Sequence, residues 1–427
     1  MNPKQIVQSA MRIATGEALG RIATFILYAY VSRRYGVELF GILALGQAAA
    51  VYVITGGDQG LKLIGARLLA RDRDLAGYLV PVIERLRFGF TAMALALGLA
   101  YGLFGPVPDE ARVCVVLFVL AVVPYSCALD WVAWGLGHFG VLATWRSGVV
   151  VVYVVLAIAA MQATDRPVEA IAGANFIAAS MGALFLWLVW RLRLSHVTGA
   201  ASEEAIEAAR EQLGAGRVMT LGLSNLLNLI FLNADILLLG ALSTTHEVGR
   251  YSAACKPLYV IFMGFWLVTD VLYPHIAGVK ESAGARRSLF RWLALVAVAS
   301  ALLAAGLAWL APQILTIIYG STMGADGLFR VLLIAMPLDF CFSLLWTVLV
   351  SRGYDQSVMF TLAAGSGTNV ALNLVLIPRF QATAAAWATV ASYALLLAMM
   401  LVFVLRNDVL SRPAEVEVAP LASEYAL

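Results

Sequence analysis

Twelve strongly apolar stretches fill this chain of 427 residues, and hydrophobic residues make up 62% of it. A backbone inside lipid must satisfy its own hydrogen bonds, so such a chain forms either a helix bundle or a closed barrel. The stretches are about twenty residues long and lack strict polar–apolar alternation, which favours membrane-spanning helices. The predicted spans are Ile13–Val31, Leu39–Thr55, Phe88–Leu103, Val113–Trp134, Val149–Met161, Ile171–Val189, Val218–Leu242, Tyr251–Tyr273, Leu289–Ala311, Leu328–Val350, Val358–Ile377 and Ala382–Val404.

The charge balance and the cysteines exclude several functional classes. The 29 lysines and arginines and the 26 aspartates and glutamates leave a net charge of +3, too weak to indicate a nucleic-acid partner. The four cysteines show neither the spacing of a zinc site nor that of a disulfide framework. No glycine-rich loop ending in Gly-Lys-Ser/Thr occurs, so ATP is not expected as the energy source, and no metal or other cofactor is expected.

The distribution of cations predicts how the chain is oriented in the membrane. Lysines and arginines are concentrated in the loops on the side of the N-terminus, and such an excess marks cytoplasmic loops. Because the number of predicted spans is even, both termini are expected in the cytoplasm. The pair Arg33–Arg34 on the opposite side is the main exception. No cleavable signal peptide is evident, since Met1–Arg12 leads directly into the first span.

The two halves of the chain show signs of an internal duplication. Three short motifs of the first half recur in the same order in the second, and six spans per half make the repeat parallel, as in several transporters. The sequence therefore predicts an all-α, polytopic membrane protein of about 12 helices in two pseudo-symmetric six-helix bundles. The paired motifs are Glu38-Leu39-Phe40-Gly41 with Glu247-Val248-Gly249, Val123-Pro124 with Met336-Pro337, and Gln162-Ala163-Thr164 with Gln381-Ala382-Thr383.

Four segments follow from this duplication. Residues 1–193 are predicted to form an N-terminal lobe and residues 217–406 a C-terminal lobe. The polar connector, 194–216, contains Ser202-Glu203-Glu204, which is typical of a capped helix start with acids in the first turn. This linker helix is expected in the cytoplasm. The tail, 407–427, carries prolines and glutamates and is expected to be disordered.

Charged residues inside the first span suggest transport. Glu17 and Arg21 are four residues apart and therefore share one helix face. Charges within a span are costly and usually face protein or water rather than lipid. In the functional interpretation Arg21 contacts an anionic group of the substrate, and Glu17 tunes it or exchanges a proton. An ion pair that only fixes the helix would give the same pattern.

The seventh and eighth spans carry a second set of polar residues. Asn228 and Asp235 lie on one face of the seventh span, and Lys256, Tyr259 and Asp270 lie along one stripe of the eighth. We consider Lys256, Asn228 and Tyr259 as substrate-binding candidates and Asp235 and Asp270 as ion-coupling candidates. Asp235 and Lys256 are a candidate pair across the two helices. A network of interhelical hydrogen bonds without contact to substrate remains the alternative.

Prolines and isolated acids complete the set of candidates. Pro124 and Pro337 occupy matching positions in the fourth and tenth spans, where proline kinks a helix, and both are hinge candidates. Asp130, Arg146 and Asp339 are expected near the cytoplasmic ends of spans, where a long or terminal side chain reaches water at little cost.

The chain resembles the polysaccharide-exporting, Wzx-like branch of the multidrug/oligosaccharidyl-lipid/polysaccharide (MOP) exporter superfamily. The likeness extends over nearly the full length, although each motif is loose. Where the family usually has a glycine after the proline-containing turn, this chain has Arg379-Phe380-Gln381-Ala382, which weakens any assignment to a subfamily. The motifs are Tyr35-Gly36-Val37-Glu38-Leu39-Phe40-Gly41, Glu247-Val248-Gly249-Arg250-Tyr251-Ser252-Ala253-Ala254, Pro274, Ile318-Tyr319-Gly320 and Asn369-Val370-Ala371-Leu372-Asn373-Leu374-Val375-Leu376-Ile377-Pro378.

The resemblance implies a multi-pass protein of the bacterial cytoplasmic (inner) membrane, with two lobes around a cavity that opens alternately to either side. It implies transfer of a polyprenyl-pyrophosphate-linked oligosaccharide from the inner to the outer leaflet. Coupling to H+ or Na+ through Glu17, Asp235 or Asp270, and contact with membrane lipid and other polysaccharide-assembly membrane proteins, are further expectations.

Three other functions fit the same composition. A flippase for a lipid-linked peptidoglycan precursor would be expected to have more basic residues in its cavity. A multidrug or organic-cation antiporter of the superfamily would line its cavity with acids and aromatic residues, so Arg21 and Lys256 argue mildly against it. A membrane glycosyltransferase or polymerase places catalytic residues on sizeable outer loops, and the loops of this chain are too short. We therefore expect a transporter and not an enzyme.

Overall fold

The computed structural model describes the backbone of residues 3–195, 199, 201–277, 285–407 and 409. Side chains are described for the same residues except 3–19, 21, 267–268, 270–277, 285–286 and 355. Over these ranges the chain is helical without a β-strand, which confirms the predicted all-α class. The helices are α1 (Pro3–Asp58), α2 (Leu61–Arg71), α3 (Ala76–Phe104), α4 (Asp109–Leu120), α5 (Val123–Ser126), α6 (Asp130–Gly135), α7 (Phe139–Ala163), α8 (Pro167–Val189), α9 (Glu203–Gln212), α10 (Ala215–Leu242), α11 (Thr245–Ala277), α12 (Ala285–Trp309), α13 (Ala311–Tyr319), α14 (Asp326–Leu333), α15 (Ala335–Ser351) and α16 (Asp355–Arg406).

The predicted spans all overlap with these helices. In the described chain, eight helical segments are long and apolar enough to cross a membrane, which supports a multi-pass membrane protein. The number of twelve crossings stays a prediction. The sequence did not predict α2 and α13, because helices of 11 and 9 residues are too short to stand out as spans. In the polar connector, Ser202 Oγ accepts a hydrogen bond from the backbone N–H of Ala205 and caps α9, as the sequence suggested.

Two of the long helices are each interrupted at a single residue. Gly36, at φ 81° and ψ −170°, breaks α1, and Gln381, at φ 52° and ψ −135°, breaks α16. Each break lies between two predicted spans. Glycine adopts a positive φ without steric cost, whereas a glutamine Cβ is crowded there. Gln381 therefore occupies a position that favours glycine, within the turn where the chain departs from the family pattern.

The two candidate hinge prolines also interrupt predicted spans. Helix α4 ends at Leu120 and α14 ends at Leu333, and each proline follows four residues later, at Pro124 and Pro337. Proline lacks the N–H that would bond the carbonyl four residues earlier, and its ring clashes with that carbonyl. The fourth predicted span is accordingly divided into α4, α5 and α6, and the tenth into α14 and α15. The two halves share this feature at equivalent positions.

The chain divides into two compact units. Unit 1 comprises Met1–Tyr35 and Leu45–Leu226, and it includes the linker helix α9. Its core joins α2, α3 and α6 through Leu61, Leu79 and Trp131, each at most 1% exposed, and Ala209 of α9 packs into the same cluster. The lobe boundaries predicted from the sequence stay a prediction.

Unit 2 comprises Gly36–Ala44 and Leu227–Leu427. Within it, the two glycines of the duplicated motif lie where backbones approach closely. A Cβ on Gly41 would overlap with the carbonyl of Thr245 and lie 2.8 Å from the backbone nitrogen of Gly249. A Cβ on Gly249 would overlap with the carbonyl of Val37. The repeated glycines therefore allow residues 36–44 to pack directly on the start of α11.

Candidate functional site

Asp235 on α10 is the centre of a buried polar cluster in unit 2. The residue is 3% exposed. Its Oδ2 accepts hydrogen bonds from Tyr251 Oη at 2.5 Å and from Thr389 Oγ1 at 2.8 Å, and its Oδ1 accepts one from Asn373 Nδ2 at 2.6 Å. Asn373 Nδ2 also donates to Asn369 Oδ1 at 3.1 Å. We call these five residues the Asp235 cluster.

The break in α16 explains how one helix supplies three members of the Asp235 cluster. Asn369 and Asn373 are four residues apart and share a face of the first half of α16. Thr389 belongs to the second half, beyond Gln381. At the break, the carboxylate of Glu247 accepts a hydrogen bond from the backbone N–H of Ala382 at 3.4 Å, at the start of the second half. Both halves thereby place polar side chains on one carboxylate.

The Asp235 cluster contains a carboxylate without a cationic partner. Asp235 forms no ion pair with any lysine, arginine or histidine whose side chain the structure describes. Burying an ionised carboxylate without a counter-charge costs several kcal/mol. Within the described residues, Asn373 Oδ1 accepts no hydrogen bond and Asn369 Nδ2 donates none. A proton or a small hard cation would neutralise the carboxylate, and such cations take carboxylate, amide and hydroxyl oxygens as ligands.

The structure does not form the pair between Asp235 and Lys256 that the sequence suggested. The hydrogen bonds of Asp235 come from the other members of its cluster. The ammonium of Lys256 is half-buried and lies 5.8 Å from the centre of the Phe40 ring, within the range of a cation–π contact. Lys256 therefore stays a candidate for binding an anionic ligand, and it is separate from the ion-coupling candidate Asp235.

The other sequence candidates have different positions. Tyr259 Oη donates to the carbonyl of Leu232 at 2.8 Å and ties α11 to α10. Asn228 is half-buried on α10. Their roles in substrate binding, and the hinge roles of the two prolines, stay predictions. The side chains of Glu17, Arg21 and Asp270 lie outside the described residues.

Unit 1 contains a buried charge network that the sequence did not reveal. Arg87 on α3 is 3% exposed. It forms an ion pair with Glu84 at 2.6 Å and approaches Asp58 at 3.6 Å. Its guanidinium also donates to the carbonyls of Ala128 at 3.2 Å and Tyr125 at 3.4 Å, where the fourth predicted span is interrupted. Arg87 therefore adds hydrogen bonds to backbone carbonyls at the interruption between α5 and α6.

Asp339 on α15 is a second buried acid of unit 2. It is 2% exposed, so the expectation that it reaches water near a helix end is wrong. The indole of Trp266 and the hydroxyls of Tyr393 and Ser343 lie near its carboxyl group. Its Oδ2 has no hydrogen-bond partner among the described residues. The sequence placed Asp339 within a span, but the depth of a single acid depends on how neighbouring helices pack around it.

Comparison with known proteins identifies the family. The model of the polysaccharide biosynthesis protein family matches residues 6–280, which is more than half of the chain. The chain belongs to this family. The match confirms the predicted resemblance to polysaccharide exporters, and it covers unit 1 from residue 6 onwards together with α10 and α11. A comparison with curated proteins found no match.

Solved structures with the same fold include three transporters of low sequence identity. A structure of the lipid II flippase MurJ in an inward closed conformation has 10% identity and a TM-score of 0.62, covering 92% of this chain and 87% of that one. An inward-facing multidrug resistance MATE transporter of the MOP superfamily has 12% identity and a TM-score of 0.56, covering 90% and 98%. A MOP superfamily transporter from Pyrococcus furiosus has 13% identity and a TM-score of 0.53, covering 95% of each chain. This member of the polysaccharide biosynthesis family therefore has the fold of the MOP superfamily.

Proposed function

We propose that this protein is an alternating-access flippase that moves a polyprenyl-pyrophosphate-linked oligosaccharide from the inner to the outer leaflet of the bacterial cytoplasmic membrane. Membership of the polysaccharide biosynthesis family supports the class of substrate. The fold, shared with a flippase for another lipid-linked sugar, supports transport as the activity. In this proposal both termini are cytoplasmic, and the protein works beside the membrane proteins that make and polymerise the glycan.

The Asp235 cluster is the strongest structural support for the proposal. A purely structural helix contact would not need a carboxylate that is 3% exposed and has no described cationic partner. A secondary transporter does need a site whose charge changes when H+ or Na+ binds. The three donors around Asp235 hold the carboxylate in place, so a bound cation would complete the site. We propose Asp235 as the principal coupling residue, with Glu17 and Asp270 as further candidates.

In this proposal, cationic side chains bind the substrate. A pyrophosphate and its sugars cannot cross hydrocarbon unaided, because each buried polar group without a partner costs several kcal/mol. Lys256, half-buried above Phe40, and Arg21 are the candidates for contact with the pyrophosphate. Asn228 and Tyr259 are candidates for the sugar. The polyprenyl chain stays in the membrane while the head group passes.

The test uses a strain that lacks the gene and carries it on a plasmid. Lipid-linked oligosaccharide is assayed on each leaflet with a membrane-impermeant reagent. We expect the deletion to trap the glycolipid on the cytoplasmic leaflet. The variants Lys256→Ala and Asp235→Asn should do the same at normal protein abundance. Arg85→Gln, which removes an exposed cation from α3, is the matched control and should restore transfer. Normal transfer in both site variants would contradict the proposed residues, and normal transfer in the deletion strain would contradict the function.

A multidrug antiporter is the second candidate, because one observation favours it. Asp339 lies next to a cluster of aromatic side chains, and an acid among aromatic rings suits an organic cation. The low exposure of Asp339 argues against direct access by such a cation. In the deletion strain, altered drug sensitivity with unchanged glycolipids would favour the antiporter.

A further inference from the structure

The environment of Asp339 differs from that of every other acid in the described part of unit 2. Phe340 stacks on Phe265 with ring centres 3.8 Å apart and contacts Phe262 at 5.9 Å. Tyr393, which lies near Asp339, packs edge-on against Phe262 at 6.1 Å. Aromatic side chains of α11, α15 and α16 therefore pack together beside this carboxyl group. The residue is 2% exposed in this packing.

Few titratable or charged side chains lie near Asp339 in the described part of the chain. The titratable groups near it are Tyr393 on α16 and Cys341 on its own helix, with Asp235 and Tyr259 beyond Tyr393. From α12 and α14, Arg291 is exposed and Arg330 donates to the carbonyl of Ala308 at 3.1 Å. No described lysine, arginine or histidine forms an ion pair with Asp339. Among the described residues, an ionised carboxylate at this position would lack both a counter-charge and a hydrogen-bond partner for Oδ2.

The neutral acid fits this geometry better than the carboxylate. The N–H of Trp266 and the hydroxyls of Tyr393 and Ser343 lie near the carboxyl group, and a proton on Oδ2 would remove its charge. A neutral hydroxyl without an acceptor costs less free energy than an isolated buried charge. Asp339 also lies two residues after Pro337, directly beyond the interruption between α14 and α15. A change in the protonation state of Asp339 would therefore affect the start of α15 and its contacts with α11 and α16.

We propose that Asp339 is a proton-binding site, separate from the Asp235 cluster, which holds one proton in the described conformation and releases it to water in another. Binding forms one O–H bond at Oδ2 from a solvent proton, and release returns that proton to solvent. The exchange of this proton during transport rests on the proposed function, whereas the binding of the proton does not. The fold then carries two ion sites of different chemistry in one unit.

Infrared spectroscopy of the full-length protein in lipid vesicles tests the binding step without any substrate. A buried carboxylic acid gives a C=O stretching band at neutral pH that a carboxylate lacks. We expect this band in the wild type and in Asp235→Asn, its loss in the nearly isosteric Asp339→Asn, and a shifted band in Asp339→Glu. Cys341→Ala, a buried change on the same helix, is the control for unspecific effects and should keep the band. A spectrum of Asp339→Asn identical to that of the wild type would overturn the proposal.

Proton movement is the second measurement. Vesicles with a trapped pH-sensitive dye should show proton transfer in the wild type and at least a tenfold slower signal in Asp339→Asn. Unchanged proton transfer in this variant would refute the exchange of the proton. A wild type that shows the infrared band and the dye signal but moves no lipid-linked oligosaccharide supports the proton site and refutes only the proposed function. Size-exclusion chromatography of each variant shows whether it is folded.

Discussion

Replacing Gln381 by glycine should stabilise the protein. Gln381 joins the two halves of α16 at φ 52° and ψ −135°, a conformation that glycine adopts readily and other residues do not. Its side chain is exposed, so the substitution removes little packing. The second half of α16 begins at Ala382, whose N–H is bonded by Glu247, and that contact does not depend on the Gln381 side chain. The change therefore acts on the backbone at the break.

The expected magnitude follows from two opposing effects. A non-glycine residue at such a φ and ψ costs about 1–3 kcal/mol, which glycine removes. Glycine also gains about 0.4–1 kcal/mol of conformational entropy in the unfolded chain, which favours unfolding. The net expectation is that Gln381→Gly raises the free energy of unfolding by about 0.5–2 kcal/mol relative to Gln381→Ala, because the unfolded-chain entropy offsets only part of the strain that glycine removes.

A matched pair of positions separates backbone strain from other effects. Thr383 lies two residues further on, is also exposed, and belongs to the regular helix. Thr383→Gly should be less stable than Thr383→Ala by about 1 kcal/mol, because glycine is unfavourable inside a helix. The difference in free energy of unfolding between the glycine and alanine variants should therefore have opposite signs at positions 381 and 383. The assay is denaturant or thermal unfolding in detergent, followed by size-exclusion fluorescence.

The result that would refute this reasoning is specific. If Gln381→Gly is no more stable than Gln381→Ala, while the two Thr383 variants differ as expected, then Gln381 is not strained at the break. Equal glycine–alanine differences at both positions would mean that the residue at 381 is part of a continuous helix.

Three further outcomes are expected. Arg87→Met should destabilise the protein by about 3–5 kcal/mol, because it removes a buried cation from two half-buried acids, Glu84 and Asp58. The exposed neighbour Arg85→Met should stay near wild type in the same melts. Gly249→Ala should cost about 1–3 kcal/mol or lower the folded yield, because its Cβ meets a backbone carbonyl, and a melting temperature equal to that of wild type would contradict the close contact. Thr389→Val should weaken ion binding roughly tenfold, because a hydrogen bond to a charged group contributes about 1.5–3 kcal/mol. The affinity is read from the ion dependence of stability, and an unchanged midpoint in a sodium or pH titration would exclude a role for this hydroxyl.

Much of the fold follows from the sequence because a membrane restricts it strongly. Apolar stretches of the right length predicted the long helices, and a capping serine followed by glutamates predicted α9. The interruptions at Pro124 and Pro337 were indicated by the residue type alone. The short helices α2 and α13 could not be predicted from apolar length, because neither is long enough to form a span.

The site was predictable only in part. Asp235 stood out because an acid inside a span is costly, but its partners come from residues far away in the chain. Thr389 is an ordinary helix residue in sequence, and only the break at Gln381 brings it to the carboxylate. Asp235 and Asp339 are both buried acids, but Asp235 accepts three side-chain hydrogen bonds, whereas Asp339 Oδ2 has no partner among the described residues. A linear pattern of polar residues does not contain that information.

In the proposed function, the break in α16 would link ion binding to helix geometry. Asn373 precedes the break and Thr389 follows it, and both donate to the same carboxylate. An ion bound at Asp235 would share this carboxylate with the two donors, so the two halves of α16 would experience different forces with and without the ion. Linkage requires the converse: any change that alters the angle at Gln381 must alter ion affinity by the factor with which the ion alters that equilibrium. Gln381→Gly, which loosens the backbone between the two donors, should therefore lower ion affinity even as it raises stability, and the two effects together would identify the break as the coupling element.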